Sequence, residues 1–396
     1  MQHGEHPLTA FDDIPATLAA LGKKDLYRHR RVVESPAGRE LVVGGRRLLN
    51  FCSNDYLGLA ADPRVTAAFK AGADRWGVGS GASHLVSGHT AAHAELELAL
   101  AELTGRPRAL LFGSGYAANV GAISTLLGQR DHVFQDRLNH ASLLDGGWLS
   151  GAGFEWYAHA DTADLAARLD AHGPSSRRKL IVSDGTFSMD GDLCPLEQLI
   201  ALAKRHGAWL MIDDAHGIGV HGAQGCGVVD PARHDCTDVP VLVGTLGKAF
   251  GTAGAFVAGS EALVEMLIQR ARHYIYTTAM PAALAAATLE SLRIARVEEW
   301  RRTRLAEHVA RFRQGAARLG LQLLPSQTPI QPLVIGASGR TLALGAALEA
   351  RGVLVGVIRT PTVPAGTARL RITFSALHQP ADVDQLLAAL AEAARP

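Results

Sequence analysis

From about Phe51 to Met280, short apolar runs of β-type residues alternate with Ala/Leu/Glu-rich helical stretches. The runs include R-A-L-L-F, H-V-F-Q-D, K-L-I-V-S-D, A-W-L-M-I-D-D, V-L-V-G-T and A-F-V-A-G. Between them lie stretches such as A-A-H-A-E-L-E-L-A-L-A-E-L and L-E-Q-L-I-A-L-A-K-R-H. Strands that are apolar throughout must be covered on both faces, and intervening helices supply the cover. The alternation predicts an α/β domain on a mainly parallel sheet. In such sheets ligands sit at the carboxyl ends of the strands. The informative polar residues of this chain lie there, just after the apolar runs.

Two of these ends dominate. V-L-V-G-T-L-G-K-A-F-G delivers a single amine, Lys248, among Leu, Gly, Ala and Phe. Poor solvation lowers an amine's pKa and leaves it nucleophilic, although a lysine at a strand end can also snorkel to solvent. W-L-M-I-D-D-A-H-G ends in Asp213, Asp214 and His216. A carboxylate at the end of a buried strand is costly unless paired, and a pyridinium N–H is a suitable partner. An amine for a Schiff base, with a carboxylate for a ring nitrogen, points to pyridoxal 5′-phosphate (PLP) as cofactor. His216 is within reach of the ring oxygen.

Three further segments fit this chemistry. In L-L-F-G-S-G-Y-A-A-N-V-G a strand ends at Phe112 and an Ala-rich helix follows, so a phosphate can rest at Gly115 and Tyr116. Gly113, Gly115 and Ala118 also match a dinucleotide fingerprint, a weak pattern that leaves Lys248 unexplained. In D-R-L-N-H-A-S, His140 offers a flat ring for stacking, or a helix cap. In V-S-D-G-T-F-S-M-D-G-D, Ser188 can donate to the ring oxygen, or serve turn chemistry.

Bulk properties narrow the field. With 396 residues, 47% of them hydrophobic, the chain can build two or three lobes. A net charge of +1 steers it to neither nucleic acid nor an anionic membrane. The opening M-Q-H-G-E-H-P does not read as a signal peptide, and Leu321 to Gly339 is too rich in proline and polar residues for a span. A cytoplasmic protein with reduced thiols at Cys52, Cys194, Cys226 and Cys236 is expected. His89 and His93 in H-T-A-A-H read as helix-surface residues, and no metal site is expected. We divide the chain into an N-terminal segment (1–50), a large PLP-binding α/β domain (51–285) and a small C-terminal α+β domain (286–396). A hairpin turn is predicted at Gly44-Gly45, and a long helical region after Pro281, rich in Arg, Glu and Ala from Arg293 to Arg318.

The ordered set L-Y-R-H-R-R, F-C-S-N-D-Y-L-G-L, G-S-G-A-S-H-L-V-S-G, D-R-L-N-H-A-S, F-S-M-D-G-D, D-D-A-H-G, G-T-L-G-K-A-F-G and I-R-T-P-T-V-P-A-G-T-A-R-L-R-I-T resembles the α-oxoamine synthases. The resemblance covers nearly the whole chain. It implies the PLP-dependent transferase fold type I and a homodimer whose sites are completed by both chains. It implies that Lys248 carries the cofactor, Asp213 pairs with the ring nitrogen and His140 stacks on the ring, these three being catalytic. Ser188 and His216 would contact the ring oxygen. Gly115, Tyr116 and Thr245 would hold the phosphate, with Thr278, beside Thr277, reaching the partner's. Arg371 would grip the amino-acid carboxylate, aided by Asn54 and His140, while Arg28 and Thr362 would meet the acyl substrate. The implied reaction is a decarboxylating condensation of L-alanine with pimeloyl-CoA or pimeloyl-acyl carrier protein; siblings use glycine or serine. Asp184, where the family pattern leads us to expect Glu, and His84 depart from that pattern.

Overall fold

The computed structural model describes residues 11–393, so the opening M-Q-H-G-E-H-P lies outside the described residues. Among the described residues, twelve strands form two sheets. They are β1 (Glu40–Val43), β2 (Arg46–Phe51), β3 (Arg108–Phe112), β4 (His132–Asp136), β5 (Gly153–Tyr157), β6 (Lys179–Asp184), β7 (Trp209–Asp213), β8 (Val241–Thr245), β9 (Ala255–Gly259), β10 (Ile330–Gly336), β11 (Val353–Ile358) and β12 (Ala368–Thr373). The larger sheet has the order β3-β9-β8-β7-β6-β4-β5. All its pairings are parallel except those of β9, which runs against both neighbours.

Both faces of this sheet are covered, as the continuous apolar runs require. Leu180, Val182, Met211, Val241 and Val243 pack under helices Gly115–Leu126 and Glu261–Arg270. Ile181, Leu210, Ile212 and Leu242 point the other way, onto helices Thr162–His172 and Leu196–His206. Each such side chain contributes roughly 1.5–3 kcal/mol on full burial, so reversing one strand's register would be prohibitive. The strand ends bearing the candidate site residues are thereby fixed to one edge of the core.

The second sheet has the order β1-β2-β11-β12-β10. Its first two strands form the expected hairpin, with Gly44 and Gly45 at φ 56° and 72°, as a two-residue primed turn needs. β2 pairs in parallel with β11, which joins the hairpin to the C-terminal sheet. The helical region after Pro281 divides into Ala282–Val297 and Trp300–Arg318. One strand escaped the sequence reading. β5, G-F-E-W-Y, lies at the sheet edge and mixes an acid with aromatics.

The histidines of H-T-A-A-H differ from expectation. His89 precedes the helix Ala91–Thr104, and His93 is buried rather than on its surface. His93 Nδ1 caps the helix at Thr90, and its Nε2 lies 2.7 Å from the Met280 carbonyl. All four cysteines are free: Cys194 and Cys226 are buried, Cys52 and Cys236 half-buried. Among the described residues, no helix is long and apolar enough to cross a membrane.

The turn after Lys248 is closed by the Gly251 N–H, which donates to the Lys248 carbonyl at 2.9 Å. Gly251 has φ +63°, and a Cβ there would lie 2.2 Å from the Ala60 backbone nitrogen. Gly251→Ala is therefore expected to cost about 2 kcal/mol or more, read as a lower urea midpoint. An unchanged midpoint would show that this turn can relax freely.

Candidate active site

The ends of β3, β4, β6, β7 and β8 converge on one side of the large sheet, and the expected residues gather there. Asp213 ends β7, buried. Its Oδ1 accepts from the Ala215 N–H at 3.0 Å and its Oδ2 from Asn119 Nδ2 at 2.6 Å. Asn119 Nδ2 also donates to Ser142 Oγ at 2.9 Å, and Ser142 Oγ lies 2.8 Å from His140 Nδ1. The carboxylate of Asp213 and the imidazole of His140 are thus held by one buried polar chain. Asn119 and Ser142 were missed from sequence. An asparagine within an Ala-rich helix four residues after Gly115 is a poor helix former, and that signal could have found it.

Asp184 ends β6 and lies opposite Asp213 in the parallel register. Its Oδ2 accepts the His140 backbone N–H at 2.7 Å, and its own N–H donates to Asn139 Oδ1 at 3.0 Å. Burial pushes its carboxyl well above the usual range, repulsion from Asp213 adds to that, and the His140 N–H opposes it. Asp184 therefore positions the segment carrying His140. Burial lowers the His140 pKa, against the pull of Asp213 and with help from Lys248, although the residue as a whole keeps exposed surface. A neutral ring with an open side is suited to stacking. His84, the other departure, stacks on Tyr274 at 4.9 Å between centroids and contacts His89.

Lys248 is half-buried. Burial of its ammonium nonetheless outweighs the attraction of Asp213 and Asp184 and lowers its pKa to about 8. His216 is buried, its Nδ1 2.7 Å from the Tyr56 hydroxyl. Burial, with the charges of Lys248 and Arg371, holds it well below its ordinary pKa, so it is neutral. Tyr56 was not foreseen; it sits 160 residues from His216, and nothing local marks it.

Arg371, on β12, brings the second sheet to the site. It is buried, with Nε donating to the Ser188 carbonyl at 2.6 Å and both Nη atoms 3.2 Å from Asn54 Oδ1. Arg369, two residues earlier and on the same strand face, pairs with Asp190. Both arginines thus meet the loop that carries Ser188.

The remaining expected residues lie further out. Gly115 opens its helix, and the neighbouring Ser114 side chain caps it. Tyr116 is exposed and donates to Asp145. Thr245 Oγ1 lies 3.1 Å from the Gly254 carbonyl. Thr278 is exposed and bridges Ser83. Arg28 and Thr362 are exposed and do not reach Lys248; they line a separate cavity of about 890 Å³ with Arg31, Arg359, Val355 and Val357.

The residues present fit PLP. Asp213 keeps acceptor capacity beyond its two bonds. Asn119 Oδ1, beside it, is buried and unpartnered. At Gly113 and Gly115, at the mouth of the helix N-terminus, an added Cβ would meet nothing within 4 Å, which leaves room for a phosphate.

Comparison with known proteins agrees. The model of the family "Aminotransferase class I and II" matches residues 46–390. The chain belongs to this family. A relative from Pseudomonas putida KT2440 named 8-amino-7-oxononanoate synthase is 62% identical over 380 residues, 96% of this chain and 97% of that protein. A serine palmitoyltransferase from S. paucimobilis, solved with a bound PLP–myriocin aldimine, superposes with TM-score 0.91 at 30% identity, covering 98% of each chain. An 8-amino-7-oxononanoate synthase from Francisella tularensis gives TM-score 0.76 at 30% identity, covering 87% of this chain and 97% of that one. The fold is that of the fold-type I PLP-dependent transferases, as the motifs implied.

The amine's setting is open to direct test. Labelling of Lys248 by a small amine reagent in cofactor-free protein, read by peptide mass spectrometry, should rise with pH about a midpoint near 8. Asp213→Asn removes the largest stabiliser of the ammonium, so it should move that midpoint lower. A midpoint near the ordinary lysine value of about 10.4 would contradict the burial argument.

Proposed function

We propose that this chain is an acyltransferase of biotin synthesis, joining L-alanine to a pimeloyl thioester with loss of carbon dioxide and the thiol to give 8-amino-7-oxononanoate. The observation that carries the reading is the half-buried Lys248, its pKa lowered beside the buried Asp213, in a chain 62% identical to a protein of that name. When bound, PLP supplies an aldehyde for amines and a ring that accepts an electron pair. The residues of the chain do the rest. Asp213, braced by Asn119, holds a proton at the ring nitrogen. Lys248, with its lowered pKa, takes the alanine Cα proton and later returns one. His140, set by Asp184 and Ser142, covers the ring and excludes water, while His216 and Ser188 orient its oxygen. Gly115, Tyr116 and Thr245 hold the phosphate.

Arg371 is the carboxylate fork for alanine, with Asn54 giving up its place to the substrate. The cavity beside Arg28, Arg359 and Thr362 suits the acyl chain: apolar walls from Val355 and Val357 match methylenes, and the arginines match a terminal carboxylate. That combination favours a pimeloyl group over a plain fatty chain. The thioester is met in the cytoplasm. A second copy of the chain completes the site, and the exposed Thr277 and Thr278 are placed to serve the neighbour's phosphate. Light scattering should then give about twice the chain mass of 41.8 kDa; a fully active monomer would refute the shared site.

Mass spectrometry of the product from alanine and pimeloyl-CoA tests the reaction. Equal or greater turnover with glycine or serine would move the chain to a sibling activity. Lys248→Ala should lose turnover by orders of magnitude. Arg371→Lys keeps the charge but not the planar fork. Loss of one charge-assisted bond, about 1.5–3 kcal/mol, should raise the KM for alanine roughly ten- to hundredfold, far more than that for the thioester. Equal rises for both substrates would remove Arg371 from that role.

A further inference from the structure

At the opposite end of the large sheet from Lys248, three side chains that the proposed reaction does not use come together. His132 opens β4, Glu155 lies on the neighbouring β5, and His172 ends the helix Thr162–His172 packed over both. One ligand atom from each lies within 4.8 Å of those of the other two. His172 Nε2 is already 3.4 Å from a Glu155 oxygen. In a tetrahedral zinc site with bonds of about 2.0–2.1 Å, donor atoms stand roughly 3.3 Å apart, so this edge is close to formed. The His132 and His172 rings stack with centroids 5.5 Å apart.

We propose that His132, Glu155 and His172 bind a divalent transition-metal ion, zinc by preference. The donor set, two imidazoles and a carboxylate, is one that zinc takes with a fourth position left to water. Two features distinguish it from a chance meeting of polar side chains. The first is support behind the ligand. Ser176 Oγ lies 2.9 Å from His132 Nδ1 and donates its own proton to the His172 carbonyl, also at 2.9 Å. The hydroxyl oxygen is thereby left to accept from Nδ1–H, which fixes the tautomer and leaves Nε2 as the lone-pair nitrogen, the outer-shell arrangement that metal-binding histidines use. The second feature is room. A Cβ at Gly153 would lie 2.2 Å from His132 Nε2, so only a glycine lets the ring lie across β5 towards Glu155. One group opposes the ion: the Arg168 guanidinium, 3.3 Å from the other Glu155 oxygen and anchored by Asp164 at 3.0 Å. A bound ion would tie the sheet edge to its covering helix without touching the catalytic end.

Calorimetric titration of zinc chloride into the PLP-loaded enzyme tests this, with the cofactor's absorbance followed in parallel. One zinc per chain should bind at micromolar Kd or tighter without changing the cofactor band. His172→Gln should weaken binding at least tenfold. Gly153→Ala keeps all three ligands but crowds the His132 ring, and Ser176→Ala removes its support; each should also weaken binding tenfold or more. Arg168→Ala should tighten it, an effect that scattered surface histidines would not show. Far-UV circular dichroism and turnover should stay unchanged in each variant, since none lies at the catalytic end. Equal zinc affinity in wild type and His172→Gln, or binding seen only as a disturbed cofactor band, would overturn the assignment.

Discussion

Three carboxyl groups and one amine share the carboxyl end of the central strands, and the arrangement of the catalytic lobe follows from keeping them there. Asp184 and Asp213 are neighbours across a parallel pairing, and Asp214 follows directly. Like charges this close in a low-dielectric interior repel strongly unless some are neutralised or hydrogen-bonded. Burial pushes Asp184 and Asp214 towards their protonated forms. Asp214 further accepts the Val228 N–H at 2.7 Å. The chain must pass very close to make that possible: a Cβ at Gly217 or Gly227 would fall within 2.0 Å of an Asp214 oxygen. The glycines of this region are therefore room made for a carboxyl group.

Much of this was legible from sequence, for a definite reason. Strands covered on both faces carry no polar alternation, so β6, β7 and β8 stand out as apolar runs, and their ends point to Asp184, Asp213 and Thr245. The Gly44-Gly45 turn was equally plain, because two consecutive residues at positive φ admit few alternatives. β5 was not legible: an edge strand has one neighbour to satisfy, and its acid and aromatics obey no simple period. Neither was the burial of His93, which depends on a carbonyl 187 residues away.

The supporting residues of the site were hidden for the same reason. Local pattern can place an acid at a strand end, but it cannot show what braces it. Asn119 meets Asp213 across 94 residues, and Arg371 meets Asn54 across 317. Asp184 was noticed as a departure from family pattern, with no hint that its partner is the backbone of His140 rather than a substrate. Strand-end chemistry suggested the roles of Lys248, Asp213 and their neighbours and resemblance added those of Arg371, Arg28 and Thr362; the contacts behind those groups came from the folded chain.

The loop from Phe187 to Asp192 is held from two sides at once. On the side of the large sheet, His159 lies 2.9 Å from Asp192 Oδ2 and 3.0 Å from Asp136 Oδ1, a pair of carboxylates that raises its pKa to about 10 despite burial. From the side of the second sheet, Arg369 pairs with Asp190, Arg371 takes the Ser188 carbonyl, and Ser326 and Thr328 donate to the Gly191 carbonyl. The position of Ser188 is thus tied to both sheets. Under the proposed roles, a substrate carboxylate that drew Arg371 towards itself would pull on the same contact with the Ser188 carbonyl. In this enzyme the segment that ties the two sheets together is also the one that carries Ser188.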